Sequence, residues 1–385
     1  MDNIRSTKLH NVLYTYKRNY RKLRILYLFL FVATMTFFVI KFFKIGELKL
    51  EMKVTEYINK EMDRILTLKT RDKQNDEFRN LKPRLPIEPI RMTLTTAVFK
   101  YTSITPNVIL KRIIHNPANN LNEDFLSMSL DSPYVCKTLK SFRTKRMLPD
   151  GSEQVFVWIF FEFLDVKITQ RTVRGNESLI RKIISDALKG LNYLHSKNIA
   201  HLDMKVGNIM GKTTDKGVVY KLIDFGYSQK MPEGGSIVIP KKNYGTYPYK
   251  PPEVVFKNEH GLKSDIWSLG AICWFLSLQY TPFYFEGYEK DLSSYRKFLK
   301  KRTERIEDRK NHIFIFSKNA SYELKDFVKK CMEVEPEDRP TVQELMKHPF
   351  ITGDKIANAK DTDDEIEDDS YHEESSETSS GEFKK

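Results

Sequence analysis

Cysteine is scarce in this chain of 385 residues. Cys136, Cys273 and Cys331 are too few, too scattered and odd in number to build a disulfide framework or a zinc site. Glycine and proline, at 16 each, fall short of what a fibrous or low-complexity chain carries. Hydrophobic residues make up 40% and charged residues 30%, with 25 Phe and 19 Tyr, which excludes a chain disordered throughout and allows a sizeable core. No internal repeat is present. Acidic residues are in deficit, 51 Asp and Glu against 64 Lys and Arg. The resulting +13 points to a polyanion such as nucleic acid, nucleotide or a membrane surface until the charge is located.

Long apolar runs are missing too, with one exception. Ile25–Ile40 holds no charge, and Phe42 and Phe43 extend it past Lys41, which can snorkel. At about 1.5 Å per residue the span 25–43 makes roughly 28 Å of helix, close to the hydrocarbon layer of about 30 Å. It is expected to be a single transmembrane helix, which makes the lipid bilayer a partner. A buried core helix and a cleaved signal peptide are the other readings, and the stretch KFFKIGELK offers no small-residue cleavage site to support the second. The basic flank 1–24 carries seven Lys and Arg in positions 5–24, against five in 41–60. That bias favours a cytosolic amino terminus, with the rest of the chain across the membrane.

Beyond the run, 44–85 is polar, with Val54, Ile58, Met62, Ile65 and Leu68 at steps of three and four. Those steps fit an amphipathic helix acting as a juxtamembrane spacer. At the other end, 352–385 reads as a disordered acidic tail: Asp361–Lys385 has eleven acidic residues against Lys384 and Lys385, a net −9, so the first 360 residues carry +22. Between them, 86–351 shows strand-like runs first (TTAVFKY, NVILKRI, YVCKTLKSF, QVFVWIFFEF) and helical patterns later, from LIRKIISDALKGLNYLHSK onward. The order predicts an α+β class, a sheet-rich part followed by a helical one.

The chemistry-bearing stretch is His201-Leu202-Asp203-Met204-Lys205-Val206-Gly207-Asn208, with Asp224-Phe225-Gly226 closing an apolar strand fifteen residues on. Phosphoryl transfer from a nucleotide needs a carboxylate beside the attacking hydroxyl and oxygen ligands for magnesium on the phosphates. Asp203 is placed for the first role, Asn208 and Asp224 for the second. Lys205, two residues beyond the base, is placed to neutralise the migrating phosphoryl group.

At this spacing the sequence resembles the eukaryotic protein kinase family, Ser/Thr type. The resemblance runs through Gly245-Thr246, Tyr249-Lys250-Pro251-Pro252-Glu253, Asp265-Ile266-Trp267-Ser268-Leu269-Gly270, Pro336-Glu337-Asp338-Arg339-Pro340 and His348-Pro349-Phe350. It implies a two-lobed kinase-like fold over 86–351, ATP and Mg2+ as cofactors, a protein substrate, and an ion pair between Arg339 and Glu253. In the amino-terminal part it implies that Lys111, in Val108-Ile109-Leu110-Lys111, grips the nucleotide phosphates, with Glu123 or the adjacent Asp124 as its partner. Val98 would end the phosphate-covering loop, and Phe161-Glu162-Phe163-Leu164 would form the gatekeeper and hinge, where Glu162 and Phe163 line the adenine. The expected function is therefore a membrane-anchored Ser/Thr protein kinase.

Three departures from the family pattern matter. With Val98 as reference, the glycine slots of the phosphate loop fall on Arg91, Thr93 and Thr96, so the loop contains no glycine and its backbone approaches phosphate less closely. Leu202 replaces the arginine that pairs with a phosphorylated activation segment, which predicts weak dependence on phosphorylation there. Val206 stands in a proline position. The glycine-free loop motivates the alternative reading, a pseudokinase acting as a membrane-tethered scaffold.

The charge can now be placed. Seven basic residues flank the apolar run and eight lie in Arg296–Lys310, a solvated helical face or a contact for an acidic substrate or anionic lipid. The polyanion reads as lipid headgroups and ATP phosphate. Nucleic acid is not expected, since no basic and aromatic interleaving appears. The side of the membrane stays open: ATP, magnesium and three unpaired cysteines favour the cytosol for 86–351, the basic flank the opposite. The triplets Asn176-Glu177-Ser178 and Asn319-Ala320-Ser321 are glycosylation acceptors that would report a lumenal location.

Overall fold

A computed structural model describes residues 53–68, 71–79, 87–102, 106–115, 123–148, 150–173, 175–232, 237–238, 244–278, 295–297, 299–300, 314 and 316–356. The basic flank, the apolar run 25–43 and the tail from Asp361 lie outside the described residues, as does most of the basic stretch 296–310. Among the described residues no helix is long and apolar enough to cross a membrane. The chain divides into two compact units, 1–115 with 143–160, and 116–142 with 161–385.

The first unit holds β1 (Ile87–Met92), β2 (Thr96–Tyr101), β3 (Val108–Ile114) and parts of β4 (Thr138–Met147) and β5 (Glu153–Glu162), strands that form a sheet of order β1-β2-β3-β5-β4. Alternation along β2 and β3 sorts their residues. Ala97, Phe99, Tyr101, Val108, Leu110 and Arg112 are buried, whereas Val98 and Lys111, which pair across the two strands, are half-buried on the other face. The segment expected to be a spacer is packed into this unit. Helix α1, residues 53–66, buries Val54, Ile58, Met62 and Ile65, each at most 1% exposed. Helix α2 (Arg71–Arg79) sets Phe78 against Phe99 of β2, ring centroids 5.5 Å apart. The apolar steps of three and four thus serve a tertiary core, as an apolar stripe does in most globular proteins.

Between β1 and β2 the glycine-free loop is a tight turn. Thr93 N donates to Thr96 O at 2.7 Å, and Thr96 N donates to the Thr93 hydroxyl at 2.9 Å. A side-chain oxygen closes a turn that glycine would otherwise have to relax into.

In the second unit, α3 (Glu123–Met128) and the loop after it are tied to β9 (Gly217–Leu222): Leu222 N donates to Tyr134 O and Cys136 N to Leu222 O. β6 (Val166–Lys167), β8 (Ile209–Thr214) and β9 form a small sheet, and β7 (Ile199–Ala200) pairs with β10 (Gln229–Lys230). After the short α4 (Gln170–Val173) comes α5 (Glu177–Ser196), capped by the Asn176 side chain accepting from Leu179 N; it buries Ile180, Ile183, Ile184, Ala187, Leu188, Leu191 and Leu194. α6 (Pro252–Lys257) precedes α7 (Leu262–Ser277), which is buried on every side from Ser264 to Leu276 and forms the centre of the helical core. α8 (Tyr322–Cys331) packs against α7 so closely that a Cβ on Gly270 would stand 2.5 Å from Cys331 Cβ. All three cysteines are buried and free. Burial pushes the Cys136 thiol up to about 12, which leaves it inert as a nucleophile.

Candidate active site

The loop between β7 and β8 is hung on a buried carboxylate of α7. Asp265, 0% exposed, accepts from His201 N at 2.8 Å and Leu202 N at 2.9 Å, and meets His195 Nε2 at 3.0 Å. Leu202 sits at φ 62, a left-handed conformation that a branched residue adopts only when its surroundings impose it. Its backbone N–H is held by Asp265 and its side chain is buried with Ala200, Met231 and Leu262. His201 points inward: Nε2 lies 3.1 Å from Ile223 O, which assigns the proton there, and Nδ1 accepts from Asp203 N at 3.3 Å. That chain of contacts fixes where Asp203 stands.

Asp203 is buried and has three polar groups on its carboxylate. Lys205 Nζ donates to Oδ2 at 2.7 Å, Asn208 Nδ2 to Oδ2 at 3.0 Å, and the Thr246 hydroxyl to Oδ1 at 2.7 Å. Thr246 in turn accepts from Lys205 Nζ at 2.9 Å, so a hydroxyl from 43 residues downstream closes a ring with the acid and the lysine. Asn208 also donates to Asp203 O at 2.8 Å. Both bonds use its amide nitrogen, which leaves the amide oxygen as the atom of this side chain that could ligate a cation. At the end of β9, Asp224 takes φ 65, a second non-glycine left-handed residue, and Phe225 is buried in the core beside His201, ring centroids 5.4 Å apart. A Cβ on Gly226 would stand 3.3 Å from Glu123 Oε2 and 3.4 Å from Asp224 Oδ1, so these two carboxylates flank the glycine.

An amide oxygen and a half-buried carboxylate are hard oxygen donors, and this set fits Mg2+ carried on nucleotide phosphates. When bound, the ion neutralises charge developing on those phosphates. No cluster of three His, Cys, Asp or Glu that would hold a metal alone occurs among the described residues.

The remaining residues singled out from the sequence fall in both units. Lys111 and Val98 pair on the half-buried face of β2 and β3 in the first. Glu123, Glu162 and Phe163 belong to the second. Glu162 has its carboxylate clamped by Lys212 and Lys221 and accepts from Lys137 N at 2.8 Å. Burial pushes this carboxyl up, but the bonds from Lys212, Lys221 and Lys137 N outweigh it and leave the group below its ordinary value. Its main chain is engaged as well, Glu162 N donating to Lys137 O at 3.0 Å and Cys136 Sγ donating to Glu162 O at 3.8 Å, with the half-buried Phe163 next to it. The Arg339–Glu253 pair is bidentate, both contacts 2.8 Å, with Arg339 also donating to the carbonyls of Glu333, Val334 and Lys263.

Two residues that the sequence reading left out of the site belong to it. Thr246 was visible only as half of a Gly-Thr pair, and Asp265 only as the start of a helix motif; contacts across 43 and 63 residues leave no local periodicity to read. Gly245 has a local reason: φ is 87, and a Cβ would meet Leu202 O at 3.1 Å.

A sheet-rich unit followed by a helical one, with an acid, lysine and asparagine on the loop into β8 and a carboxylate at the end of β9, is a two-lobed kinase-like α+β arrangement. The family model described as protein kinase domain matches residues 106–351, and the chain belongs to that family. The match starts after the glycine-free turn, although β1 and β2 pair into the same sheet as β3. Among curated proteins the chain is similar to the calcium/calmodulin-dependent protein kinase cmkA of Emericella nidulans, 33% identical over 179 residues, 46% of this chain and 39% of that one. It is similar to sperm motility kinase 2B of Mus musculus, 29% over 237 residues, 60% and 43% of the two chains. Serine/threonine-protein kinase PLK4 of Nematostella vectensis is 32% identical over 183 residues, 47% of this chain and 16% of that protein. The chain spans less than half the length of each of these relatives.

Proposed function

We propose that this protein is a membrane-anchored Ser/Thr protein kinase that transfers the γ-phosphate of ATP to hydroxyls of protein substrates. The observation that carries the reading is the ring of Asp203, Lys205 and Thr246. In it, Asp203 accepts the proton of the attacking hydroxyl. Lys205, held against that carboxylate, is positioned to offset charge on the phosphoryl group as it moves, and Thr246 fixes both in one geometry. Lys111 holds the nucleotide phosphates in this reading, and Asn208 and Asp224 hold Mg2+. The lysine two residues after the acid and the similarity to a serine/threonine-protein kinase of Nematostella vectensis support Ser/Thr over other acceptors.

The test is Mg2+-dependent ATP turnover on a broad Ser/Thr peptide panel, compared with Asp203→Asn. Wild-type activity that vanishes in the variant supports the reading. ATP binding with wild type and variant equally inert would instead support a scaffold role, for which the glycine-free turn is the motive.

Anchoring is supported by the uncharged run from Ile25 and the basic flank before it. Retention of the full chain in the membrane pellet after alkaline carbonate extraction is the expected result. Both Asn176 and Asn319 are exposed, so glycan at either would put the kinase domain on the lumenal side, and its absence together with protease access to the tail in cytosol-out vesicles would put it in the cytosol.

A further inference from the structure

On the sheet of the first unit, the face opposite Lys111 is the more deeply buried one, and what buries it comes from outside the span the family model matches. Arg112, the residue after Lys111, is 1% exposed, with its guanidinium stacked 4.4 Å from the Phe156 ring centroid. Arg146 of β4 lies on the same ring at 5.3 Å. Two cations therefore share one aromatic face of the sheet. Helix α1 answers both from one side: Asn59 Oδ1 accepts from Arg112 Nε at 2.7 Å, and Asp63, one turn further along, takes both terminal nitrogens of Arg146. Arg146 also donates to Gln154 Oε1 at 2.7 Å. Burial pulls Arg112 down to about 10, with Asp63 acting to raise it and Arg146 to lower it. The second helix braces the first. Gln74 of α2 donates to Leu66 O and Leu68 O at the end of α1, and Arg64 bonds Glu77 at 3.1 Å.

We propose that residues 53–79 are part of the catalytic unit and that Asn59 and Asp63 are positioning residues for the nucleotide: by gripping Arg112 and Arg146 from behind the sheet, they hold strand β3, and with it Lys111, in place. Successive strand residues point to opposite faces, so fixing Arg112 fixes the backbone from which Lys111 extends. The proposal rests on the reading that Lys111 holds ATP phosphate, and it adds a part that the family's matched span does not contain. It also fits a phosphate turn without glycine. Where the covering loop approaches phosphate less closely, more of the hold on the nucleotide falls to the lysine.

The test uses the full chain in lipid nanodiscs, with Asn59→Ala, Asp63→Ala and the double variant. Equilibrium binding of Mg-ATP is measured alongside KM for ATP, KM for peptide and kcat. The double variant is expected to weaken ATP binding and raise KM for ATP by about fivefold, within what indirect coupling through packed side chains carries, with kcat and peptide KM little changed. Asp63→Glu, which keeps the charge, restores most of the affinity, and Glu56→Ala on the exposed side of α1 has no effect. Should the double variant fail to fold, Asn59→Ala alone removes one neutral acceptor and is expected to show part of the same shift. Unchanged ATP affinity in the folded variants, whether or not the melting temperature falls, overturns the proposal. A wild type that binds ATP but never turns it over defeats the kinase reading instead, and the ratio of binding constants still decides the role of α1.

Discussion

The catalytic loop and the covered sheet hold a charged side chain still by different means. Around Asp203 the means are polar. Lys205, Asn208 and Thr246 converge on one carboxylate, and the loop beneath hangs on Asp265 at the cost of a left-handed leucine. Around Lys111 the means are burial: Phe99, Leu110 and Arg112 face a layer made by α1 and α2, and Phe78 lies against Phe99. A directional network sets where atoms stand but contributes modestly to stability, since each bond replaces one made with water. A packed layer contributes to stability in proportion to the apolar area it buries and fixes position only through the strand it stiffens.

A crossed pair of substitutions breaks this comparison if it is wrong. Asp203→Asn should lower kcat by about 10²–10⁴, the range of a positioned general base, while the chemical-denaturation midpoint stays close to wild type. Phe99→Ala should do the reverse, costing about 3–5 kcal/mol of unfolding free energy as a buried ring is replaced by a cavity. The molecules that remain folded should turn over at near the wild-type kcat. If Asp203→Asn unfolds the protein, or Phe99→Ala abolishes kcat at full stability, position and burial are not divided between the two regions as described.

Lys250 sharpens the comparison because it buries a charge beside the catalytic loop, where the means are otherwise polar. It is 3% exposed, its ammonium lies 4.3 Å from the Tyr247 ring centroid, and burial brings it down to about 8 from 10.5, with Asp203 pulling the other way. Below pH 8 the amine is protonated folded and unfolded, and the full burial penalty is present. Between pH 8 and 10.5 the folded state has released a proton that the unfolded state keeps, so stability from this group rises with pH across that window. Lys250→Met should therefore raise unfolding free energy at pH 7 by about 1–2 kcal/mol and flatten the rise above pH 8. Denaturation at pH 7 and pH 10 measures both. A loss of stability at pH 7 would show that the ammonium is held by its neighbours and not merely tolerated.

How far these features were legible follows from their range in sequence. Asp203, Lys205, Asn208 and Asp224 could be found because the chemistry confines them to two short runs. The periodicity at Val54, Ile58, Met62 and Ile65 announced a helix with one buried face, but nothing local says whether that face meets a sheet or stands off as a spacer. Glu162 reads as a hinge residue, yet its lysines lie 50 and 59 positions away, where no spacing rule reaches. The missing glycines of the phosphate turn were plain, while the hydroxyl of Thr93 closing that turn needed the hairpin to be seen.

The smallest expected effect concerns Leu202. In the family pattern this position carries the arginine that a phosphorylated activation segment engages, and here an apolar side chain is buried with Ala200, Met231 and Leu262. A phosphate arriving on that segment would find no guanidinium at this position, and the loop is already held through the Asp265 bonds to His201 N and Leu202 N. Treating the purified protein with a broad phosphatase should then change kcat by less than about twofold, because an added charge orders a segment only where a basic partner receives it. Introducing the partner with Leu202→Arg should make turnover sensitive to the same treatment if the surrounding apolar cluster accepts the longer side chain. A tenfold loss on phosphatase treatment of the wild type would mean that another basic residue receives the phosphate, and that the polar network around Asp203 is not complete without it.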